Sequence, residues 1–505
     1  TKYGIIVSAG VKNMKKYIWG RVIRSILSIF IVVTIALIMV YTMVPRSYVF
    51  QNDPQYSKLN ANLDEKTRYK YNTWRRLGYM RFIEQKDMCS AESDDYSSCV
   101  LAGSSEIERI KEVYVEKGWT VESYNNGLLF AHKDYSVFEL VTNLFGRLIK
   151  IDNPTYIKDA NNTDLERKIY VATDQNGVPS LKCSGCQHKY LIYFDSGFPY
   201  IHQNIISLDF GISYPTFSGL DVGNVISTTQ GNAVSSDVEF ETGYSTSTAV
   251  NLHTCRYKDT LDTLDAKRFS DNYADCDSNL SDPSMIMTSF LFGIFGLIIS
   301  YVIGIPGGMS MAAHKDKFAD KMGIVYINIM IAVPSLAFIY FARFIGSMFG
   351  LPDKFPTLGA QDVRSYILPV IILALLSTAG EMIWVRRFMI DQASSDYVKF
   401  ARAKGLSQKE IFRTHILRNA IIPLVQQLPQ NVILTISGAV ITETVFAIPG
   451  MGKMLPNSIK SYNNPMVIAL TFIFTALSVF SLLIGDLLVT VVDPRIQLQA
   501  KGGSR

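Results

Sequence analysis

The sequence predicts an all-α polytopic membrane domain of six transmembrane helices, with a large α+β insert between the first and second helices. Three observations predict it: long apolar stretches, the sign of the charge between them, and the confinement of every cysteine to one segment. A helix needs roughly 20 apolar residues to cross a bilayer. Stretches of that kind run near residues 23–43, 285–305, 323–343, 367–385, 421–441 and 466–489. The overall hydropathy is modest because these stretches are averaged with a polar segment, residues 45–284.

Charge divides along the same line. Residues 45–284 hold 24 Lys and Arg against 33 Asp and Glu, a net −9, and the rest of the chain carries a net +14. Short loops on the cytoplasmic side of a membrane accumulate Lys and Arg. The N-terminal segment has Lys12, Lys15, Lys16, Arg21 and Arg24, and the loop after the second stretch has Lys315, Lys317 and Lys321. The loop after the fourth has Arg386, Arg387, Lys399, Arg402, Lys404, Lys409, Arg413 and Arg418. The intervening loops are near balance, with Lys354 and Arg364 against Asp353 and Asp362, and Lys453 and Lys460 against Glu443. The alternation predicts a multi-pass protein of the cell membrane, both termini cytoplasmic and 45–284 extracytoplasmic.

Cysteine usage agrees. Cys89, Cys99, Cys183, Cys186, Cys255 and Cys276 all lie in 45–284, the pattern of disulfides in an oxidising compartment. Pairing of neighbours, 89–99, 183–186 and 255–276, is the simplest of 15 connectivities, and spacing alone does not choose among them. The Cys183-Ser-Gly-Cys186-Gln-His188 run leaves open a zinc site, while Gln187 breaks a haem-attachment motif.

Within 45–284 the first part has helical spacing over 62–84 and 104–117. From Lys189 it turns strand-like, through Tyr190-Leu191-Ile192-Tyr193-Phe194 and the alternation of 225–250. The segment is expected to act as a lid or spacer, or as a docking platform for a partner that delivers substrate. The first apolar stretch is too long for a cleavable signal peptide and has no small-residue cleavage site, so it is expected to anchor the chain. Residues 1–14 are expected to be flexible or non-native, since Met14-Lys15-Lys16 has the look of a start, and 498–505 form a tail.

The loop after the fourth stretch carries the most information. Residues 395–404 form one short helix, ended by Gly405, the residue best suited to the left-handed position after a helix. Ser407-Gln408-Lys409-Glu410 has the spacing of a capping box, and a second helix is expected to run to about Asn419 before the next span begins at Pro423. Ile411, Phe412, His415, Ile416 and Leu417 give that helix an apolar stripe, which calls for a groove on a partner. A basic loop lying on anionic lipid is the plainer reading.

Tyr397 to Ser407, continuing through His415-Ile416-Leu417-Arg418-Asn419-Ala420-Ile421-Ile422-Pro423, resembles the EAA loop of binding-protein-dependent importers. Gly438 through Glu443 to Pro449-Gly450-Met451-Gly452, and Asp493-Pro494-Arg495-Ile496, are similar to two further motifs of that family in the same order. The membrane part, residues 15–45 and 285–497, resembles an oligopeptide permease of the OppB/AmiC type with a type I ABC importer fold. The resemblance implies a permease that moves oligopeptides inward and pairs with a second permease, two ABC ATPases and an extracytoplasmic peptide-binding lipoprotein. It implies coupling through loop 394–423, with Ala401, Ala403, Gly405, Leu406, Ser407, Glu410, Ile411, Phe412, His415 and Leu417 as the coupling residues. Relatives with the same loop carry dipeptides, nickel chelates or other small solutes, so those substrates stay open.

No G-x-x-x-x-G-K-[ST] phosphate loop occurs. The chain is therefore expected to be no enzyme, with no cofactor or metal of its own, while the partner ATPases use ATP and Mg. Membrane lipid is an expected partner and nucleic acid is not. Five residues in or beside spans are expected to mark a pathway or gate: Arg343, Pro429, Glu443, Pro449 and Gly450. Arg343, Glu381 and Asp486 lie near span ends, where snorkelling or a neighbouring span satisfies them, and Arg343 is alternatively a guide for a peptide carboxylate. Glu443 is expected to orient the Pro449-Gly450 turn, and Pro306, Pro334 and Pro429 to kink their spans. A receptor with a ligand-sensing insert and a membrane enzyme built on Cys183, Cys186 and His188 are the competing classes.

Overall fold

The first apolar run has no glycine or proline between Ile23 and Val44, and its helix is unbroken. α1 (Lys2–Ile38) continues as a π-helical turn over Met39–Met43. It stops at Val44, which is extended because the ring of Pro45 disfavours helix at the residue before it. The computed structural model describes residues 2–151, 168–173, 179–184, 190–195, 198–201, 206–227, 235–239, 245–249, 254–257, 273–277, 285–359 and 362–492.

The segment after α1 mixes helix and strand. α2 (Leu63–Arg76) is capped by the Asn62 side chain, which accepts the Glu65 N–H. The expected helix over 62–84 is cut short at Gly78, whose φ of +81° turns the chain, and Met80–Glu84 is a strand. That strand and Thr120–Ser123 flank Leu129–Asp134 in an antiparallel sheet. α3 (Ser105–Glu116) falls where helical spacing places it, and α4 (Val137–Leu148) starts on a capping box between Ser136 and Glu139. Tyr71, Trp74, Phe82 and Phe130 form the aromatic core between α2 and the sheet. Further on, Lys168–Thr173, Pro179–Ser184, Tyr190–Asp195 and Phe198–Ile201 make a four-stranded antiparallel meander, so the described part of this segment holds both helix and strand.

From residue 285 on the principal helices are α5 (Met285–Ala313), α6 (Phe318–Ala332), α7 (Ser335–Met348), α8 (Arg364–Ala393), α9 (Asp396–Ala403), α10 (Arg418–Gly438), α11 (Val440–Val445), α12 (Met454–Lys460) and α13 (Asn464–Val492). α5 and α8 pack along a stripe of small residues, as membrane helices do where backbones approach closely. A Cβ on Gly308 would sit 2.7 Å from Val385 Cβ and 2.9 Å from the Met382 carbonyl. α10 packs between α13 and α5.

Among the described residues, four helical stretches are long and apolar enough to cross a membrane: Ile18–Met43, Met285–Ala313, Arg364–Ala393 and Asn464–Val489. The other two expected spans differ. Pro334 does not merely kink its stretch, because α6 and α7 meet at 106° across it. α10 is a full helix with Pro423 and Pro429 inside it, but Gln426, Gln427, Gln430 and Asn431 dilute its apolar character.

The 45–284 segment is joined to the membrane helices around Asn463 and Asn464, both buried. Asn463 Nδ2 donates to Ser213 Oγ at 2.8 Å and to Thr216 Oγ1 at 2.7 Å, and Asn464 bonds the Tyr79 hydroxyl. Below them Leu148, Phe210, Val222 and Val225 share one apolar cluster with Met285, Met451, Met466 and Leu470. Asp486 in α13 pairs with Arg21 of α1 and accepts from Gln426 of α10, so both span-end charges there are satisfied.

Candidate functional site

The loop joining α8 to α10 is built from local signals. α9 ends in a Schellman turn: the Gly405 N–H bonds the Arg402 carbonyl at 3.0 Å and the Leu406 N–H bonds the Ala401 carbonyl at 3.3 Å. Gly405 holds a φ of +79°, where a side chain would be strained by roughly 1 kcal/mol. Ser407 then caps the next helix by accepting the Glu410 N–H at 3.3 Å. The expected return half of the capping box differs, since Glu410 Oε2 takes the Ser407 hydroxyl at 3.4 Å.

The second helix of the loop does not end before the span. Gln408–Glu410 passes through a π-helical stretch, Ile411–Leu417, directly into α10, with helical backbone at Ile411, Leu417 and Arg418. Ser407 therefore stands at the head of one continuous helical run that leads into α10.

Burial sorts the residues expected to couple into two groups. Ala401 and Ile411 are buried with Val398 and Ile416 against Val385 and Met389 of α8 and Ala420 and Leu424 of α10, and Leu406, Phe412 and Leu417 pack around this cluster. His415 is half-buried. The apolar stripe thus anchors the loop to its own helices. Ala403, Gly405, Ser407 and Glu410 are exposed, together with Arg402, Lys404, Arg413 and Thr414. Phe400 is 69% exposed with Lys404 Nζ 5.7 Å from its ring, a solvent-facing aromatic that helical spacing does not single out.

Next to this loop Asp320 of α6, fully buried, takes a two-pronged bond from Arg386 of α8, at 2.6 Å from Nε and 2.9 Å from Nη2. The pair fastens α6 to the end of α8 that leads into α9 and was not marked from sequence, because no spacing rule links residues 66 positions apart.

The second group of site residues also converges. Glu443 of α11 is fully buried: Oε1 accepts the Ser289 hydroxyl at 2.6 Å and Oε2 accepts the Lys453 N–H at 2.9 Å. Its carboxylate fills the space over Gly450, so the Pro449-Gly450 turn lies against Glu443. Arg343 of α7 donates to the Val445 carbonyl at 3.0 Å and to Asp353 Oδ2 at 2.9 Å, and the bond from Arg343 holds the Asp353 carboxyl below its usual range. Arg343 is thereby joined to the Glu443 segment, while Pro429 lies apart, inside α10.

Cys89 and Cys99 form a disulfide. Cys255 and Cys276 are register partners across an antiparallel pair. Cys183 stands opposite Ile169 in the meander, and Cys186 and His188 lie outside the described residues, as does the Asp493–Ile496 motif.

Comparison with known proteins places this geometry. Residues 304–498 match the model of the binding-protein-dependent transport system inner membrane component. The oligopeptide transport system permease protein AmiC of Streptococcus pneumoniae is 42% identical over 97% of this chain and all of its own. Dipeptide transport system permease proteins DppB of Lactococcus lactis and Bacillus subtilis are 32% and 30% identical, each over 42% of this chain and 69% of theirs. Identity that runs the whole length of AmiC, insert included, decides the assignment: this chain belongs to the family of binding-protein-dependent transport system inner membrane components, the permease subunits of ABC importers.

Proposed function

We propose that this permease moves oligopeptides into the cell, forming half of the pathway with a second permease and drawing its energy from two separate ABC ATPases. The observation that carries the reading is the division of loop 394–423 into two sides: Val398, Ala401, Ile411 and Ile416 pack against α8 and α10, while Phe400, residues 402–405 and residues 407–410 are exposed. A push on the exposed side reaches the spans through packed side chains, which deform little. Oligopeptide is favoured over dipeptide because similarity to AmiC extends through residues 45–284, whereas the DppB matches cover less than half of the chain.

In this reading the membrane part has six spans, with α6 and α7 counted as one broken span and α10 as the fifth. Both termini and loop 394–423 are cytoplasmic, residues 45–284 are extracytoplasmic, and an extracytoplasmic peptide-binding lipoprotein delivers substrate. ATP and Mg act in the partner subunits, and this chain holds neither. The charge alternation of the loops supports this orientation, as does the Cys89–Cys99 disulfide in 45–284.

Purification of the tagged chain from native membranes in mild detergent, followed by mass spectrometry, tests the assembly. Recovery of a second permease and two phosphate-loop ATPases is expected. Recovery of this chain alone, or only with copies of itself, would sink the reading.

A further inference from the structure

A cavity of about 300 Å³ lies between the 45–284 segment and the membrane helices, beside the Glu443 turn. One wall is Phe217, on the turn that Asn463 pins through Ser213 and Thr216. The other walls include Met285, Met454 and Met466, and the polar lining is Lys453, Asn457, Thr216, Ser458 and Ser461. The Lys453 backbone is fixed by its N–H bond to Glu443, and among the described residues its ammonium forms no ion pair. Burial holds that ammonium below the usual lysine range, against the pull of the Glu443 carboxylate.

We propose that this cavity receives the C-terminal carboxylate of a transported peptide, with the Lys453 ammonium as counter-charge and the three methionines as adaptable walls. The inference rests on the oligopeptide reading and deepens it. An importer that accepts many sequences can recognise only what all linear peptides share, and the terminal carboxylate is such a group. Lysine suits it, being a compact point charge that does not demand one orientation of the carboxylate plane. Unbranched thioether side chains repack around different neighbours, so the end residue is free to vary. The volume is at the low end of ligand pockets and fits one or two residues, not a whole peptide. The 45–284 segment thereby contributes directly to substrate contact through Phe217.

The test is uptake by whole cells that carry the complete transporter with this chain wild type, Lys453→Gln or Lys453→Arg. The probes are hexa-alanine as the free acid and as the C-terminal amide. Lys453→Gln is expected to lower free-acid uptake about tenfold, mainly through KM, with amide uptake changed less than about twofold. Lys453→Arg is expected to keep most of the free-acid uptake. An equal fall for both probes, or no change in either, would overturn the carboxylate site. Wild-type cells that take up neither probe would instead overturn the oligopeptide reading, and this site with it.

Discussion

Ser289, near the start of α5, donates its hydroxyl to Glu443 Oε1 at 2.6 Å and accepts the Met451 N–H at 2.7 Å. One small side chain thus ties α5 to both sides of the Pro449-Gly450 turn. Ser289→Ala would leave a buried carboxylate oxygen and a buried amide without a partner, at a cost of about 1–3 kcal/mol. Gly450→Ala would drive a methyl group into the Glu443 carboxylate. Both variants are expected to unfold at lower temperature in detergent than the wild type. Unchanged melting in both would mean that the turn is held by something else.

The Asp320–Arg386 pair gives a second prediction. Asp320→Asn leaves Arg386 without its partner at a buried site, and breaking such a pair costs about 3–5 kcal/mol. The double variant Asp320→Leu with Arg386→Met removes both charges and is expected to recover most of that loss. Thermal unfolding of the three proteins distinguishes a structural fastening from an incidental contact, for which Asp320→Asn would be neutral.

The cysteines are tested by mapping peptides without reduction. Cys89 is expected to be linked to Cys99, and Cys255 to Cys276, each bridge adding two hydrogens on reduction. Loss of the 89–99 bridge in Cys89→Ser with Cys99→Ser is expected to cost about 2–3 kcal/mol, since it closes a short loop. A linkage of Cys89 to any other cysteine would contradict the fold of this segment.

Acid acts on Asp353 with a definite sign. Its bond to Arg343 lowers the carboxyl pKa in the folded protein, so the contribution to stability is complete above the unfolded value of about 3.9. It is lost as pH falls through the lower folded value. Arg343→Gln is therefore expected to destabilise the protein at neutral pH and to matter less in strong acid. Equal destabilisation at both pH values would show that the Val445 bond, not the Asp353 bond, is what Arg343 supplies.

What the sequence made legible was local. Apolar length marks α1, α5, α8 and α13, and Gly405 with Ser407 marks the elbow, because the rules behind them act within one or two turns. The Ser289–Glu443 and Asp320–Arg386 bonds join residues 154 and 66 positions apart, and no periodicity reports such contacts. Pro334 in the sequence signals only a kink, since proline alone does not reveal that the chain turns by 106° once its helix is interrupted. The stripe of Ile411 and Ile416 was apolar as expected, but amphipathicity does not say whether a helix fills a partner's groove or its own protein's.

The exposed side of loop 394–423 is expected to be held by an ATPase. All six native cysteines lie in 45–284, so Ala403→Cys places a single thiol on an exposed residue of this loop. Thiol-directed crosslinking in native membranes, with mass spectrometry of the adduct, reads its neighbour. An adduct with a separate protein that carries a phosphate-loop motif is expected, and it is expected to be lost in Phe400→Ala with Ala403→Cys. An adduct only with this chain, or none while uptake is intact, would contradict it.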